Sequence, residues 1–127
     1  MKDKILKEFG KSGFIKDNDF KIINLTDTEC SLEYKVKESG LNAIGIVHGG
    51  LLFGFADTTA GTLACMTGKF PLTINSSISY LNQAKCEKLI SKATILKQGN
   101  NIGYYNVDIF AEKNTLICTC NVTMYMK

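Results

Sequence analysis

Apolar residues alternate with charged residues in the stretch that begins at Leu32 and ends at Lys37. A period of two is typical of a strand with one buried face. This alternation predicts a strand over 30–36, and the apolar segment over 20–25 predicts another. Thr26-Asp27-Thr28 supplies the turn between them.

The C-terminal half of the chain predicts four more strands. The segments share alternation or a high content of β-branched and aromatic residues, and turn-like junctions bound them. They cover 72–81, 89–98, 102–111 and 115–126. Because the last three segments follow one another through short junctions, they predict an antiparallel meander.

A long apolar segment between the two groups of strands predicts a helix from Gly49 to Thr67. The helix has no polar face and is therefore expected to be enclosed by the rest of the protein. It is not expected to span a membrane, because it is short of about 20 apolar residues and carries Asp57 at its centre. Near the N-terminus, residues 1–10 predict a short helix and residues 11–18 a loop.

These elements predict an α+β protein with a single domain, residues 1–127. An antiparallel sheet of five to six strands would wrap around one long central helix. Such a sheet covers the helix with one face only, and its other face and its edges need a partner. We therefore expect a homo-oligomer, at least a dimer.

Composition narrows the range of partners. The net charge of +3 comes from 15 basic residues, all of them lysine, and 12 acidic ones. This surplus is far from the basic stripe of a nucleic-acid-binding protein, and neither nucleic acid nor a membrane is an expected partner. The five cysteines are odd in number and lack a CxxC pair, which favours reduced thiols. With no secretory signal at its start, the chain is expected in the cytoplasm.

The predicted helix begins directly after the only histidine, in the run His48-Gly49-Gly50. The first N–H groups of a helix have no acceptor inside it, and the helix dipole adds partial positive charge there. The N–H groups of Gly49 and Gly50 would therefore be free to bind an oxyanion or polarise a carbonyl. The alternative interpretation is that the two glycines only form a tight turn into the helix.

Asp57 lies seven residues after Gly50 and therefore on the same face of the predicted helix. A carboxylate buried among apolar residues is costly unless it is paired or useful. Burial would raise the pKa of Asp57 toward the range of a general base. The alternative is a structural carboxylate, hydrogen-bonded to a loop or to Thr58 and Thr59.

Two polar side chains precede the helix. His48 could act as a base, but its place beside the glycines favours a ring that fixes the loop by hydrogen bonding. Asn42, six residues earlier, could donate its amide to a carbonyl or tie down the loop. The sequence does not decide between these two roles of Asn42.

These residues carry a family resemblance. The run Asn42-Ala43-Ile44-Gly45-Ile46-Val47-His48-Gly49-Gly50, followed by Ala56-Asp57, closely resembles the active-site region of hotdog-fold acyl-CoA thioesterases. The PaaI-like and Them2-like branch is the most similar. The similarity covers about residues 30–125 and includes Ile78-Ser79-Tyr80-Leu81, Ala84-Lys85 and Leu96-Lys97-Gln98-Gly99.

The resemblance implies a hotdog fold and a role for each matching residue. Asp57 would activate water or attack the thioester carbonyl, and the Gly49 N–H would polarise that carbonyl. Asn42 would lie near the thioester or the attacking water, His48 would support the loop, and Thr73 would orient the nucleophile. The active site would lie at a dimer interface, with Asp57 of one chain facing Asn42 and His48 of the other.

Such an enzyme also needs a slot for the acyl group and contacts for coenzyme A. Residues near the helix and the following strand are candidates for the substrate site: Gly50, Leu52, Phe53, Met66 and Tyr80. Lys85, Lys88 and Lys97 are candidates for the coenzyme A phosphates. The chemistry requires no metal or redox cofactor, and aromatic, short-chain and medium-chain acyl groups all remain open.

Two other functions fit the same fold. One is a hotdog protein that binds acyl-CoA without hydrolysing it, and the retained Asp57 argues against it. The other is a dehydratase acting on a 3-hydroxyacyl thioester. A single His48 placed before two glycines fits the dehydratase poorly.

Overall fold

The computed structural model describes all residues from 1 to 127. Its α-helices are α1 (Lys2–Glu8), α2 (Gly13–Asn18) and α3 (Gly49–Ala64). Its strands are β1 (Lys21–Leu25), β2 (Glu29–Lys35), β3 (Pro71–Tyr80), β4 (Lys88–Gln98), β5 (Ile102–Phe110) and β6 (Leu116–Met126). The α+β prediction is confirmed, and every predicted strand end lies within one residue of the observed one.

The six strands form one antiparallel sheet in the order β1-β2-β4-β5-β6-β3. The predicted meander of the last three strands is confirmed by the pairing of β4 with β5 and of β5 with β6. β3 follows α3 along the chain but pairs with β6, so β3 and β1 are the two edges of the sheet.

α3 packs one side against the sheet and leaves the other side partly open. The prediction of a helix enclosed all round is therefore wrong within one chain, because the sheet reaches only one side of it. Gly50 is exposed, and Phe53, Gly54 and Asp57 are half-buried. None of the helices has both the length and the apolar character needed to cross a bilayer. The buried residues of α3 are Leu52, Phe55, Ala56, Thr59, Ala60, Thr62, Leu63 and Ala64.

The N-terminal region differs from its prediction. Residues 11–18 are not all loop, because α2 occupies Gly13–Asn18. Ser12 caps this helix by accepting a hydrogen bond from the Ile15 N–H at 3.5 Å. The Phe14 ring lies against α3 at Gly54, where a Cβ atom would stand 2.6 Å from the ring. A cap and a tertiary contact thus stabilise α2, although the polar residues of this segment predicted a loop.

An irregularity in β3 determines which of its side chains face α3. The register shifts between Thr73 and Asn75, so Ile74 has no counterpart on β6. Thr73 pairs with Met124, which is buried in the core, so Thr73 lies on the side of the sheet that carries α3. Bulges commonly re-aim a side chain in this way.

Candidate active site

The start of α3 is held by the histidine that precedes it. His48 is the N-cap residue, and its Nδ1 accepts a hydrogen bond from the Gly50 N–H at 2.8 Å. The prediction that the Gly50 N–H is free is therefore wrong, because the imidazole occupies it. The expected loop-fixing geometry of His48 is present: its own N–H donates to the Gly40 carbonyl at 2.8 Å.

The Gly49 N–H remains available at the helix N-terminus. It makes no hydrogen bond within the chain, whereas the Leu51 and Leu52 N–H groups both donate to the His48 carbonyl. The Tyr80 hydroxyl donates to the Gly49 carbonyl at 2.9 Å. Partial burial, with smaller effects from Cys118 and Cys120, raises the pKa of Tyr80, so it stays a neutral donor. Tyr80 therefore fixes Gly49 in the first turn of α3.

Asn42 organises the loop before α3. Its Oδ1 accepts hydrogen bonds from the N–H groups of Ile44 at 3.1 Å and Ile46 at 3.2 Å. The backbone of Asn42 closes the loop as well, because its N–H donates to the Ile46 carbonyl at 2.8 Å. The loop-tying role is thus observed, and the side-chain Nδ2 still has no partner within the chain. Asn42 can tie the loop with one atom and donate with the other.

Asp57 is paired with a residue of the following strand. Its Oδ1 accepts a hydrogen bond from the Thr73 hydroxyl at 2.6 Å. The alternative partners do not bind it: the Thr58 hydroxyl donates to the Gly54 carbonyl, and the Thr59 hydroxyl donates to the Phe55 carbonyl and is hydrogen-bonded to the Ser91 hydroxyl. The pair leaves Oδ2 of a half-buried carboxylate available to accept a proton or attack an electrophile.

The predicted site residues line two separate clefts of one chain. Asp57, Thr73 and Phe53 line a cleft of about 530 Å³. Asn42, Gly49 and Tyr80 line another, of about 450 Å³, and Gly50 borders both. The expected single acyl slot is not formed within one chain, because Leu52 and Tyr80 belong to the second cleft, Phe53 to the first and Met66 to neither. Lys85, Lys88 and Lys97 are exposed and form no salt bridge within the chain.

Helix geometry explains why the clefts are separate. Gly49 and Asp57 are eight residues apart on α3, which is about 12 Å along the helix axis. A carbonyl oxygen polarised at Gly49 must lie about 3 Å from its N–H. The Asp57 carboxylate of the same chain is too far along the helix to act on that carbonyl.

The sequence alone missed a third group of residues, beneath the N-terminal segment. Ile5 and Phe9 of that segment line a cavity that also contains Asp57 and Thr73. The apolar residues at helical spacing in residues 1–10 were the only signal for this contact. That signal predicts an amphipathic helix but not the surface on which it packs.

Comparison with known proteins establishes the family. A family model described as the thioesterase superfamily matches residues 44–118. The chain therefore belongs to the thioesterase superfamily, and it is a thioester hydrolase. Among its relatives, a "putative esterase" of Archaeoglobus fulgidus is 32% identical over 108 residues, 84% of this chain and 70% of that protein. Human acyl-coenzyme A thioesterase 13 is 35% identical over 80 residues, 61% of this chain and 57% of that protein.

Solved structures confirm the hotdog fold. The E. coli PaaI protein from the phenylacetic acid degradation operon has a TM-score of 0.91 at 20% identity, covering 95% of this chain and 88% of that one. A hypothetical thioesterase protein of Streptococcus pneumoniae, solved with coenzyme A, has a TM-score of 0.82 at 28% identity, covering 89% and 96%. Two other structures of that protein carry an aspartate and a threonine replaced by alanine. In its numbering these two positions are 16 apart, as are Asp57 and Thr73.

Proposed function

We propose that the protein hydrolyses an acyl-CoA thioester to the free acid and coenzyme A, with Asp57 as the general base or nucleophile. The observation that carries this proposal is the 2.6 Å hydrogen bond from the Thr73 hydroxyl to Asp57 Oδ1. It fixes the carboxylate at the open side of α3 with its second oxygen unbound. Coenzyme A as the thiol is supported by the coenzyme A complex of the Streptococcus pneumoniae relative.

The reaction needs a polarised carbonyl as well as a base. The unpaired Gly49 N–H at the positive end of α3 would donate to the thioester oxygen and stabilise the oxyanion. Asp57 would take a proton from water as that water attacks the carbonyl carbon, or would attack it directly. The C–S bond then breaks, and coenzyme A leaves as a thiol after protonation. On the direct route, water would then hydrolyse the mixed anhydride of the acyl group and Asp57, which gives the free acid and restores the carboxylate.

We further propose that two chains complete each site. Gly49 and Asp57 of one chain are about 12 Å apart along α3, so a single thioester needs the Gly49 of one subunit and the Asp57 of another. β3 offers the surface for this pairing. It is a ten-residue edge strand whose Leu72 and Ile74 are 43% and 57% exposed. An unpaired edge of this length is a template for pairing with a second strand.

In such a dimer the loop of one subunit would face the carboxylate of the other. Asn42 Nδ2, which has no partner within its own chain, would then donate to the thioester or to the attacking water. His48 would act indirectly, since its Nδ1 is occupied by the Gly50 N–H. Lys85, exposed beside Ala84 at the second cleft, would meet the phosphates of coenzyme A.

The test of the reaction is thiol release by the purified protein from a panel of acyl-CoA substrates. We expect one free thiol and one free acid per turnover. Tight acyl-CoA binding without thiol release over hours would favour a binding protein instead. Hydration of an enoyl thioester, followed by absorbance, would favour a dehydratase. After a single turnover in ¹⁸O-labelled water, label in Asp57 would identify it as the nucleophile, because a general base exchanges no oxygen with the water that it activates.

The test of the shared site is complementation between two inactive variants. The Asp57→Asn and Asn42→Ala variants are mixed, unfolded and refolded together so that mixed dimers form, and the refolded protein is assayed. In a mixed dimer with shared sites, one of the two sites regains both intact residues. Random mixing should then restore about a quarter of the wild-type activity. No recovery in verified mixed dimers would show that each chain works alone.

A further inference from the structure

A third cavity lies between α3 and the N-terminal arm, which we define as residues 1–18. It has a volume of about 730 Å³, and Asp57 and Thr73 line it. The same two residues line the cleft on the open side of α3. The arm cavity is therefore continuous with the proposed catalytic pair, and a group held there would start next to the Asp57 carboxylate.

Apolar side chains form part of the arm cavity's wall. Ile5, Phe9 and Ile15 line it from the arm, and Met124 lines it from β6. All three arm residues are half-buried and pack against the core. The charged residues Lys4 and Glu8 of the arm and Lys69 after α3 also line the cavity, and all three are exposed.

Two threonines of α3 add to the apolar lining. The Thr58 hydroxyl donates to the Gly54 carbonyl at 2.7 Å, and the Thr62 hydroxyl donates to the Thr58 carbonyl at 2.7 Å. Because both hydroxyl groups are bound to the helix backbone, the polar groups of these side chains are already satisfied. Of the side chains that line the cavity from α3 itself, the Asp57 carboxylate keeps an unbound oxygen.

The cavity is elongated along α3. Asp57, Gly61 and Cys65 line it at intervals of four residues, so it extends for about 12 Å along the helix. Gly61 at its middle adds no side chain, and a Cβ there would meet only the Met124 methyl, at 3.6 Å. An alkyl chain advances by a little over 1 Å per carbon, since C–C bonds of about 1.5 Å zigzag. The length thus matches an extended chain of about eight to ten carbons.

We propose that the arm cavity binds the acyl group of the substrate and selects an extended aliphatic chain of medium length. This inference rests on the proposed function, because it assumes that the thioester carbonyl lies at Asp57. Gly61 is then a specificity-determining position, since any side chain there shortens the space available to the chain. The arm serves as the outer wall of the acyl site.

The first experiment measures kcat/KM for a series of straight-chain acyl-CoA substrates. In the wild-type protein, kcat/KM should rise by up to about fourfold per buried methylene and level off near eight to ten carbons. Gly61→Leu should lower the octanoyl-to-acetyl ratio of kcat/KM at least tenfold. Gly10→Leu is the matched control, because Gly10 is in the arm that covers the cavity, has open space around it and does not line the cavity.

Two results would overturn the proposal. One is an octanoyl-to-acetyl ratio in folded Gly61→Leu that equals the wild-type ratio. The other is an equal fall of that ratio in Gly10→Leu. If the protein hydrolyses no acyl-CoA of any length, the proposed function itself fails, and this outcome is distinct from an unchanged chain-length profile in an active enzyme.

A second experiment does not depend on the folding of Gly61→Leu. Cys65 lies at the far end of the arm cavity, and Cys86 is half-buried but does not line it. In the Asp57→Asn variant, octanoyl-CoA should slow alkylation of Cys65 severalfold relative to coenzyme A alone, while Cys86 reacts unchanged. Burial raises the pKa of both thiols, so labelling is done at alkaline pH and followed by peptide mass spectrometry. Equal labelling of Cys65 under saturating octanoyl-CoA would also overturn the proposal.

Discussion

The chain contains two threonine–aspartate hydrogen bonds of nearly equal length in different surroundings. Thr73 donates to Asp57 at 2.6 Å, and Thr119 donates to Asp108 at 2.7 Å. The first pair joins a helix to an edge strand beside an open cleft. The second joins two central strands at directly paired positions. The contact itself is therefore the same, and only the surroundings can give one pair a chemical role.

The surroundings of the two carboxylates differ in what can approach them. Asp57 is on the half-buried side of α3, next to glycines and Phe53, and borders both the cleft and the arm cavity. Asp108 alternates with the buried residues Val107 and Ile109, so it lies on the face of the sheet away from α3. It stands opposite Lys92 in the β4–β5 register. A substrate can be enclosed at Asp57, whereas Asp108 belongs to a polar, open sheet surface.

The largest expected difference between the two pairs is the effect on kcat of replacing the carboxylate. Asp57→Asn should lower kcat for acyl-CoA hydrolysis by about a thousandfold, because loss of a positioned base or nucleophile removes one of the two reacting groups. Asp108→Asn, the matched control, should keep kcat within about twofold. The measurement is thiol release under saturating substrate, with folding checked by circular dichroism. Comparable losses of kcat in both variants would show that the two pairs do not differ in their catalytic role.

A smaller difference is expected for the hydroxyl groups. Thr73→Ala removes the donor that orients Asp57, and a small misplacement of a reacting group can lower the rate by up to about a hundredfold. We expect kcat to fall by about tenfold to a hundredfold, while Thr73→Ser retains most of the activity. Thr119→Ala should leave kcat unchanged. An active Thr73→Ala protein would mean that Asp57 needs no orienting partner.

The smallest difference is expected in the free energy of unfolding. Here the Thr119–Asp108 pair should be the more sensitive of the two. Thr119→Ala should lower the free energy of unfolding by about 0.5–1.5 kcal/mol, because it removes a partly buried hydrogen bond between central strands. Thr73→Ala should cost less than about 0.5 kcal/mol, since Thr73 is exposed on an edge strand. Urea unfolding of the two variants measures both values. A larger loss for Thr73→Ala would assign that pair to folding.

Much of the fold was predictable because its signals are local. The strands follow from alternation and β-branched content, and α3 follows from its long apolar run. α2 was missed because its stability depends on the Ser12 cap and on contacts of Phe14 with Gly54 and of Phe20 with Phe55. Enclosure of α3 was overestimated because hydrophobicity reports that a surface is covered, but not whether the same chain covers it.

The candidate site was predictable in its parts and not in its arrangement. The run from Asn42 to Gly50 and the position of Asp57 were visible in the sequence. The Asp57–Thr73 hydrogen bond spans 16 residues and depends on the bulge at Ile74, which turns Thr73 toward α3. No local pattern specifies that contact, and only the resemblance to a family suggested Thr73.

The sequence by itself determined where α3 begins, that one carboxylate lies two turns along it, and that the strands alternate. These are properties of neighbouring residues, for which periodicity and helix-end chemistry suffice. Only the tertiary structure decided that His48 occupies the Gly50 N–H and leaves the Gly49 N–H unpaired. It also decided that Asp57 and Asn42 line different clefts of one chain. The physical reason is that these outcomes depend on which groups meet in space after the sheet has formed.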